Sequence, residues 1–322
     1  MRLSVRHTTT YRFDAPVVHA LQRLRLIPKE TQGQSILDWR MDLTNAVEEL
    51  AYDDQHRNRT RLVSVIPGAQ EVTIACSGIV HTSDHAGIIG EHSGHLPLWS
   101  FQGQTPLTRP GDGIRALLTE LEPDPGDPID TLHRLSAAIR DAVTYQTGVT
   151  TVRTTADEAF AQGGGVCQDH AHIFIGGARA LGIPARYVSG YLMMNDRIHQ
   201  EATHAWAEAH VDGLGWVGFD ISNGISPDTR YVRVATGRDY RDAAPITGIS
   251  IGTVTTDLDV EVAVERQSQS QSQSQGGSGS QSQSQSQSQS QSQGGTGSQS
   301  QSQSQSQAGP QGRSQQQQQS QQ

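Results

Sequence analysis

This chain has little cysteine: Cys76 and Cys167 are the only two in 322 residues. Two thiols make no disulfide framework, which excludes a small stapled secreted domain. Long apolar runs are missing too. No stretch approaches the roughly 20 apolar residues of a membrane span. The opening Met1-Arg2-Leu3-Ser4-Val5-Arg6 lacks the apolar core of a signal peptide. The expected setting is therefore a soluble, reducing cytoplasm. Basic runs are also absent. Arg313 is the only charge after Arg266, so the first 266 residues carry 23 of the 24 basic residues and all 33 acidic ones, a net of −10. An acidic domain of this kind argues against nucleic acid and anionic membrane as partners.

Aliphatic residues vanish from one region. From Gln267 onward the chain is almost entirely Ser and Gln with a few Gly, and Ala308 is the one aliphatic residue. Such a segment cannot bury enough apolar surface to fold, so residues 267–322 are expected to be a disordered low-complexity tail. What remains suffices for one large or two ordinary domains.

The first hundred residues alternate apolar and polar positions in short runs broken by turn residues. Leu3-Val5-His7, Leu21 to Leu26, Trp39-Met41-Leu43, Leu62 to Ile66 and Val72-Ile74-Cys76 read as strands, which predicts a β-rich N-terminal domain over 1–112. Cys76 falls in phase with Val72 and Ile74 and reads as a buried small hydrophobe. Helical signals follow. Asp127-Pro128 supplies an N-cap and a Pro at the first helical position, and Thr155 to Glu158 fits a capping box on a helix that stops at Gly163. A further helix, marked by Ala171, Phe174, Ala178 and Leu181, ends at Gly182-Ile183-Pro184. Residues 185 to 191, 203 to 211 and 216 to 220 look like strands. Helices first and antiparallel strands afterwards predict an α+β domain over 113–266.

That last helix opens on Cys167, after Gly163-Gly164-Gly165-Val166. A thiol in the first turn of a helix faces unpaired N–H groups and the positive end of the macrodipole, and both favour thiolate. The same N–H groups can serve as an oxyanion hole. A buried structural cysteine is the plainer reading of this feature alone. His204 and Asp220 change the balance. In strand 203–211, His204, Trp206, Glu208 and His210 share one face, and the chain returns through Trp216 and Gly218 to Asp220. A two-residue loop would turn Asp220 to the wrong face, because a one-residue slip flips every side chain. An odd loop or a bulge around Gly213 to Gly215 sets Asp220 opposite Trp206 and diagonal to His204. An odd loop is therefore the expectation. In that geometry His204 exchanges a proton with Cys167 and Asp220 fixes the imidazole tautomer.

The run Ala159-Phe160-Ala161-Gln162-Gly163-Gly164-Gly165-Val166-Cys167-Gln168-Asp169-His170-Ala171-His172, with Leu181 to Tyr191, His204-Ala205-Trp206 and Gly215 to Asp220, resembles the core of the bacterial transglutaminase-like superfamily. The strand-rich first hundred residues resemble the N-terminal region that often precedes it. The resemblance implies a papain-like Cys-His-Asp arrangement in an antiparallel-sheet core, with Cys167 as nucleophile, His204 as base and Asp220 as orienting acid. It implies no cofactor, and the expectation is a peptide or protein substrate and no metal. Oligomeric state is left open. The chain departs from the family pattern at Ser222-Asn223, where a Pro-Thr pair is common, and at His170, where an aromatic is usual.

Two other readings compete. Cys167, His170, His172, His199, His204 and His210 are a dense set of metal-ligand types, but no second closely spaced pair has zinc-site spacing. An inactive transglutaminase-like binding module is the second rival, weakened by the presence of all three triad residues. Within the enzyme reading, water as acceptor makes a peptidase or amidase and an amine makes a transglutaminase. Both use the same residues.

Overall fold

The computed structural model describes residues 1–195, 198–200, 202–251 and 256–267. The Ser/Gln segment expected to be disordered lies outside them from Ser268 on. The fold is α+β, mostly sheet with few helices.

Among the described residues three antiparallel sheets build it, with a short parallel pair of 144–145 and 164–165. In the first, the strand order is 199–200, 256–266, 2–13, 71–82, 34–44; in the second it is 246–251, 19–24, 59–65, 46–53. Period-two patterning explains their packing. Along 71–82 the alternate residues Val72, Ile74, Cys76 and Val80 are buried. The first three pack with Tyr11, Ala20, Leu24, Val63 and Val65 in a core shared by the two sheets. Cys76 is the small buried hydrophobe its phase implied, and burial pushes its thiol up to about 12.

The third sheet runs 231–237, 185–192, 204–211, 215–219, 88–90. Ala205, Ala207, Ala209 and Val211 from its 204–211 strand join Ala171, Phe174 and Ala178 of the helix Cys167–Ala180 in one apolar core. Small residues on both elements allow the close packing that buries this helix on every side. The helices Asp112–Glu120, Pro128–Ala142 and Ala156–Gln162 complete that core. Their ends follow the local signals. Asp127 accepts a hydrogen bond from the Asp130 N–H at 2.9 Å, and both halves of the Thr155–Glu158 capping box are present.

Strand pairing reaches across the expected boundary between 1–112 and 113–266. Strand 256–266 lies along 2–13 from Leu3↔Arg266 to Phe13↔Thr256, and 246–251 pairs with 19–24. Residues from the start of the chain and from 246–266 therefore build the β-rich layers together. Conversely 88–90, from the first hundred residues, adds an edge to the third sheet. Each of these strands satisfies its backbone groups against a distant partner, which a local pattern does not reveal.

Candidate active site

The hairpin that carries His204 and Asp220 has an odd loop. Val211 pairs with Gly215, leaving the three residues Asp212-Gly213-Leu214 to turn the chain, with Gly213 and Gly215 both at positive φ (82° and 78°). The register Glu208↔Gly218 and Ala207↔Phe219, continued by one step, brings Asp220 level with Trp206. Asp220 thus stands diagonal to His204, as the parity argument requires. A short bridge between Asp220 and Ile225, with N···O distances of 2.8 and 3.2 Å, holds the loop beyond it.

His204 Nε2–H donates to Asp220 Oδ2 at 2.6 Å. That leaves Nδ1, the other ring nitrogen, outside the carboxylate pair, and Cys167 acts on the same imidazole. Cys167 is the first residue of its helix and His204 the first of its strand, so the two meet where both elements begin. Burial works against charge on His204. The hydrogen bonds to Asp220 and Cys167 and the negative charge of both outweigh it, pushing the imidazole up to about 10. Asp220 is buried, and burial alone would raise it. Hydrogen bonds from His204, Asn223 and Tyr231 hold it below its usual range instead. Tyr231 O–H and Asn223 Nδ2–H both donate to Oδ2 at 2.7 Å, while the Asn223 N–H reaches Oδ1 at 3.2 Å.

Trp206 belongs to the core and still touches the site. Its indole is buried and stacks on the His204 ring, centroids 6.2 Å apart, with Tyr231 edge-on to it. Gly190 makes the space. It faces His204 across the neighbouring strand, and a Cβ there would come within 2.6 Å of the Trp206 ring and 2.1 Å of the Val232 carbonyl oxygen.

Asp169 organises the turn in front of Cys167. Its Oδ2 accepts from the Val166 N–H at 2.8 Å and from the Thr150 hydroxyl at 2.7 Å. The carboxylate occupies the N3 position, the reach-back half of a capping box. The two departures from the family pattern meet one another. His170 Nε2 lies 2.9 Å from the Val143 carbonyl, which only accepts, so this nitrogen carries the proton. Nδ1 then accepts from the Ser222 hydroxyl at 2.8 Å. Burial lowers the His170 pKa and keeps the ring neutral. One turn after Cys167, this bond ties the helix to the loop after Asp220.

Of the remaining metal-ligand types, the His199 side chain lies outside the described residues, and His172 and His210 have other partners. His172 is fully buried, accepts from the Tyr240 N–H at 3.1 Å, and is driven down to about 3 by burial and then by Arg179 and Arg241. His210 lies against Trp216. Among the described residues no three of His, Cys, Asp and Glu gather as a metal set.

Glu208, which shares the strand face of His204, is wholly buried between two guanidiniums. Arg186 Nε donates to Oε2 at 2.6 Å, and Arg233 binds both oxygens at 2.6 and 3.0 Å. Burial would raise this carboxyl, but Arg186 and Arg233 hold it at about 2. The three residues cross-link the strands 185–192, 204–211 and 231–237. Sequence patterning missed Arg186, Arg233 and Tyr231. Their one signal is the alternation of Tyr231 and Arg233 along a short run, Tyr-Val-Arg-Val.

Comparison with known proteins agrees with this architecture. Residues 115–221 match the transglutaminase-like superfamily, and residues 3–81 match the bacterial transglutaminase-like N-terminal region. The chain belongs to the bacterial transglutaminase-like proteins. An uncharacterized protein of Mycobacterium tuberculosis is 30% identical over 275 residues, covering 77% of this chain and 87% of its own length. One from Mycobacterium leprae is 28% identical over 280 residues, covering 80% and 96%. Among solved structures, the "Putative Cysteine Protease" from Cytophaga hutchinsonii aligns with a TM-score of 0.64 at 23% identity, covering 83% of this chain and 92% of that one. At that identity the likeness speaks for the fold.

Proposed function

We propose that this protein is a thiol acyl-transfer enzyme acting on peptide or amide bonds, with Cys167 as nucleophile, His204 as acid and base, and Asp220 as the group that orients His204. The observation that carries the reading is the 2.6 Å hydrogen bond from His204 Nε2–H to the buried Asp220 carboxylate, on an imidazole that also interacts with Cys167 at the start of its helix. A histidine oriented by a buried carboxylate can take the proton of a thiol and hand it on to the leaving amine.

The steps follow. The thiolate attacks the amide carbonyl carbon and forms a C–S bond, and the carbonyl oxygen takes up negative charge. N–H groups of the helix's first turn are the available donors for it. His204 passes its proton to the amide nitrogen, the C–N bond breaks and the amine leaves, giving a thioester. Water then gives a proton to His204 and its oxygen attacks the thioester. The C–S bond breaks, a carboxylic acid departs and loses its proton to solvent, and the thiolate and protonated His204 are restored. With a primary amine in place of water the product is a new amide. Hydrolysis is the preferred outcome here, and a reducing cytoplasm is the setting in which such a thiol persists.

An activity-based thiol probe tests the assignment, with Cys167→Ala as control and with peptide and amine-acceptor screens to follow. Labelling of wild type alone is expected. Equal labelling of wild type and Cys167→Ala removes Cys167 as nucleophile and leaves a binding module as the better account.

A further inference from the structure

A cavity of about 410 Å³ opens directly beside the Asp220 loop. Its size is that of a small-ligand site. Asn223 and Tyr231 form one wall, and these are the side chains that donate to Asp220 Oδ2. Leu192, Met194 and Ile225 supply the apolar part of the lining. Leu192 and Met194 pack in one cluster with Trp206 and Tyr231, whose rings both lie against His204. Ile225 is tied to Asp220 by two backbone hydrogen bonds. The cavity is therefore lined by residues that themselves touch His204 and Asp220.

Its charge is as informative as its shape. Arg230 is the charged residue of the lining, and its guanidinium is already paired with the Asp228 carboxylate through three contacts of 2.7 to 3.0 Å. No uncompensated charge is left to recruit an acidic or basic side chain. A neutral, flexible, apolar group gains the burial energy without desolvating a charge. Met194 adds a side chain able to repack around it.

We propose that this cavity is a specificity subsite that receives an apolar side chain of the leucine or methionine class, carried by the peptide substrate next to the amide under attack. The proposal rests on the thiol acyl-transfer reading. It goes further by naming what the substrate presents to the enzyme.

The test uses the full chain and short peptidyl vinyl sulfones that differ in one residue next to the electrophile: Gly, Leu, Met, Glu or Lys. The second-order rate of adduct formation on Cys167 is followed by intact mass. Leu and Met are expected to react at least about tenfold faster than Gly, Glu or Lys, the scale of discrimination an apolar pocket gives. Ile225 is part-exposed at 39%, so Ile225→Asp should fold. In that variant the Leu:Gly ratio is expected to fall to about one and the Lys probe to overtake the Leu probe, as an opposite charge now lines the pocket. Met194→Asp repeats the measurement from the other wall. A flat wild-type profile, or a Leu preference that persists in both variants, overturns the subsite while leaving Cys167 as nucleophile. Labelling that survives in Cys167→Ala overturns the nucleophile, and the subsite with it.

Discussion

Replacing Glu208 by Gln should cost this fold a large part of its stability, and the structure allows the cost to be worked out. The carboxylate is wholly buried and its folded pKa lies at about 2 against an ordinary value of 4.5. Linkage turns that depression into about 3 kcal/mol of stability at neutral pH. Breaking a buried ion pair by removing one partner gives a similar figure, about 3–5 kcal/mol, because the uncompensated charge stays behind. Here two charges stay behind, Arg186 and Arg233. At roughly 2–4 °C per kcal/mol for a domain of this size, Tm should fall by about 6–12 °C or more. A thermal melt of the full chain at pH 7 reads this directly. The sign of the pH dependence is a second check. A depressed carboxyl contributes fully above its unfolded value near 4.5 and loses its contribution as pH falls toward 2. The gap between wild type and Glu208→Gln should therefore close in acid. A Tm loss of only a degree or two, or a gap that widens in acid, would refute the cross-link reasoning.

Other predictions concern the site itself. Tyr231→Phe removes one donor to the Asp220 carboxylate, a bond worth about 1.5 kcal/mol, so thiol-probe reactivity should fall by roughly tenfold with the fold intact by circular dichroism. Asp220→Asn should lower Tm most between about pH 5 and 6.5. His204 is raised above its ordinary value of 6.5 in the fold, so its stabilising contribution is complete below that value. It is lost as pH rises through about 10, and the Tm difference should shrink there. Ser222→Ala and His170→Phe both break the His170–Ser222 hydrogen bond, and His170→Phe also loses the bond to the Val143 carbonyl, so in a double-mutant cycle of probe rates their effects should be non-additive, the double variant losing little beyond His170→Phe alone. Additive losses would mean the two side chains act separately. Gly190→Ala should slow probe reaction by pushing the Trp206 ring against His204, as the added Cβ meets that ring and the Val232 carbonyl.

Much of the site was legible because its signals are local. Helix starts and stops around Cys167 rest on residues within a few positions of each other, and the hairpin of His204 and Asp220 is governed by the parity of one short loop. What was not legible is long-range. Strand 46–53 reads Ala-Val-Glu-Glu-Leu-Ala-Tyr-Asp and is mostly exposed, so it carries no clean alternation. Strands 246–251 and 256–266 find their partners more than two hundred residues away. Glu208 lay on the expected face, but nothing in its neighbourhood announces the arginines that surround it. Tyr231 supports Asp220 from a strand on the far side of strands 185–192 and 204–211, where the order 231–237, 185–192, 204–211 decides the contact rather than any spacing along the chain.

The central claim is that Cys167 carries the acyl group. Acid-quenched intact mass after mixing with a p-nitrophenyl ester of an acylated leucine measures this most directly. Cys76, the second thiol, is buried in the β-rich core and out of competition. The account predicts one acyl group on the wild type, mapped to Cys167, removed by hydroxylamine as a thioester, absent from Cys167→Ala and formed slowly in His204→Ala. An equal adduct on Cys167→Ala, or a wild-type protein that never acquires one, contradicts it.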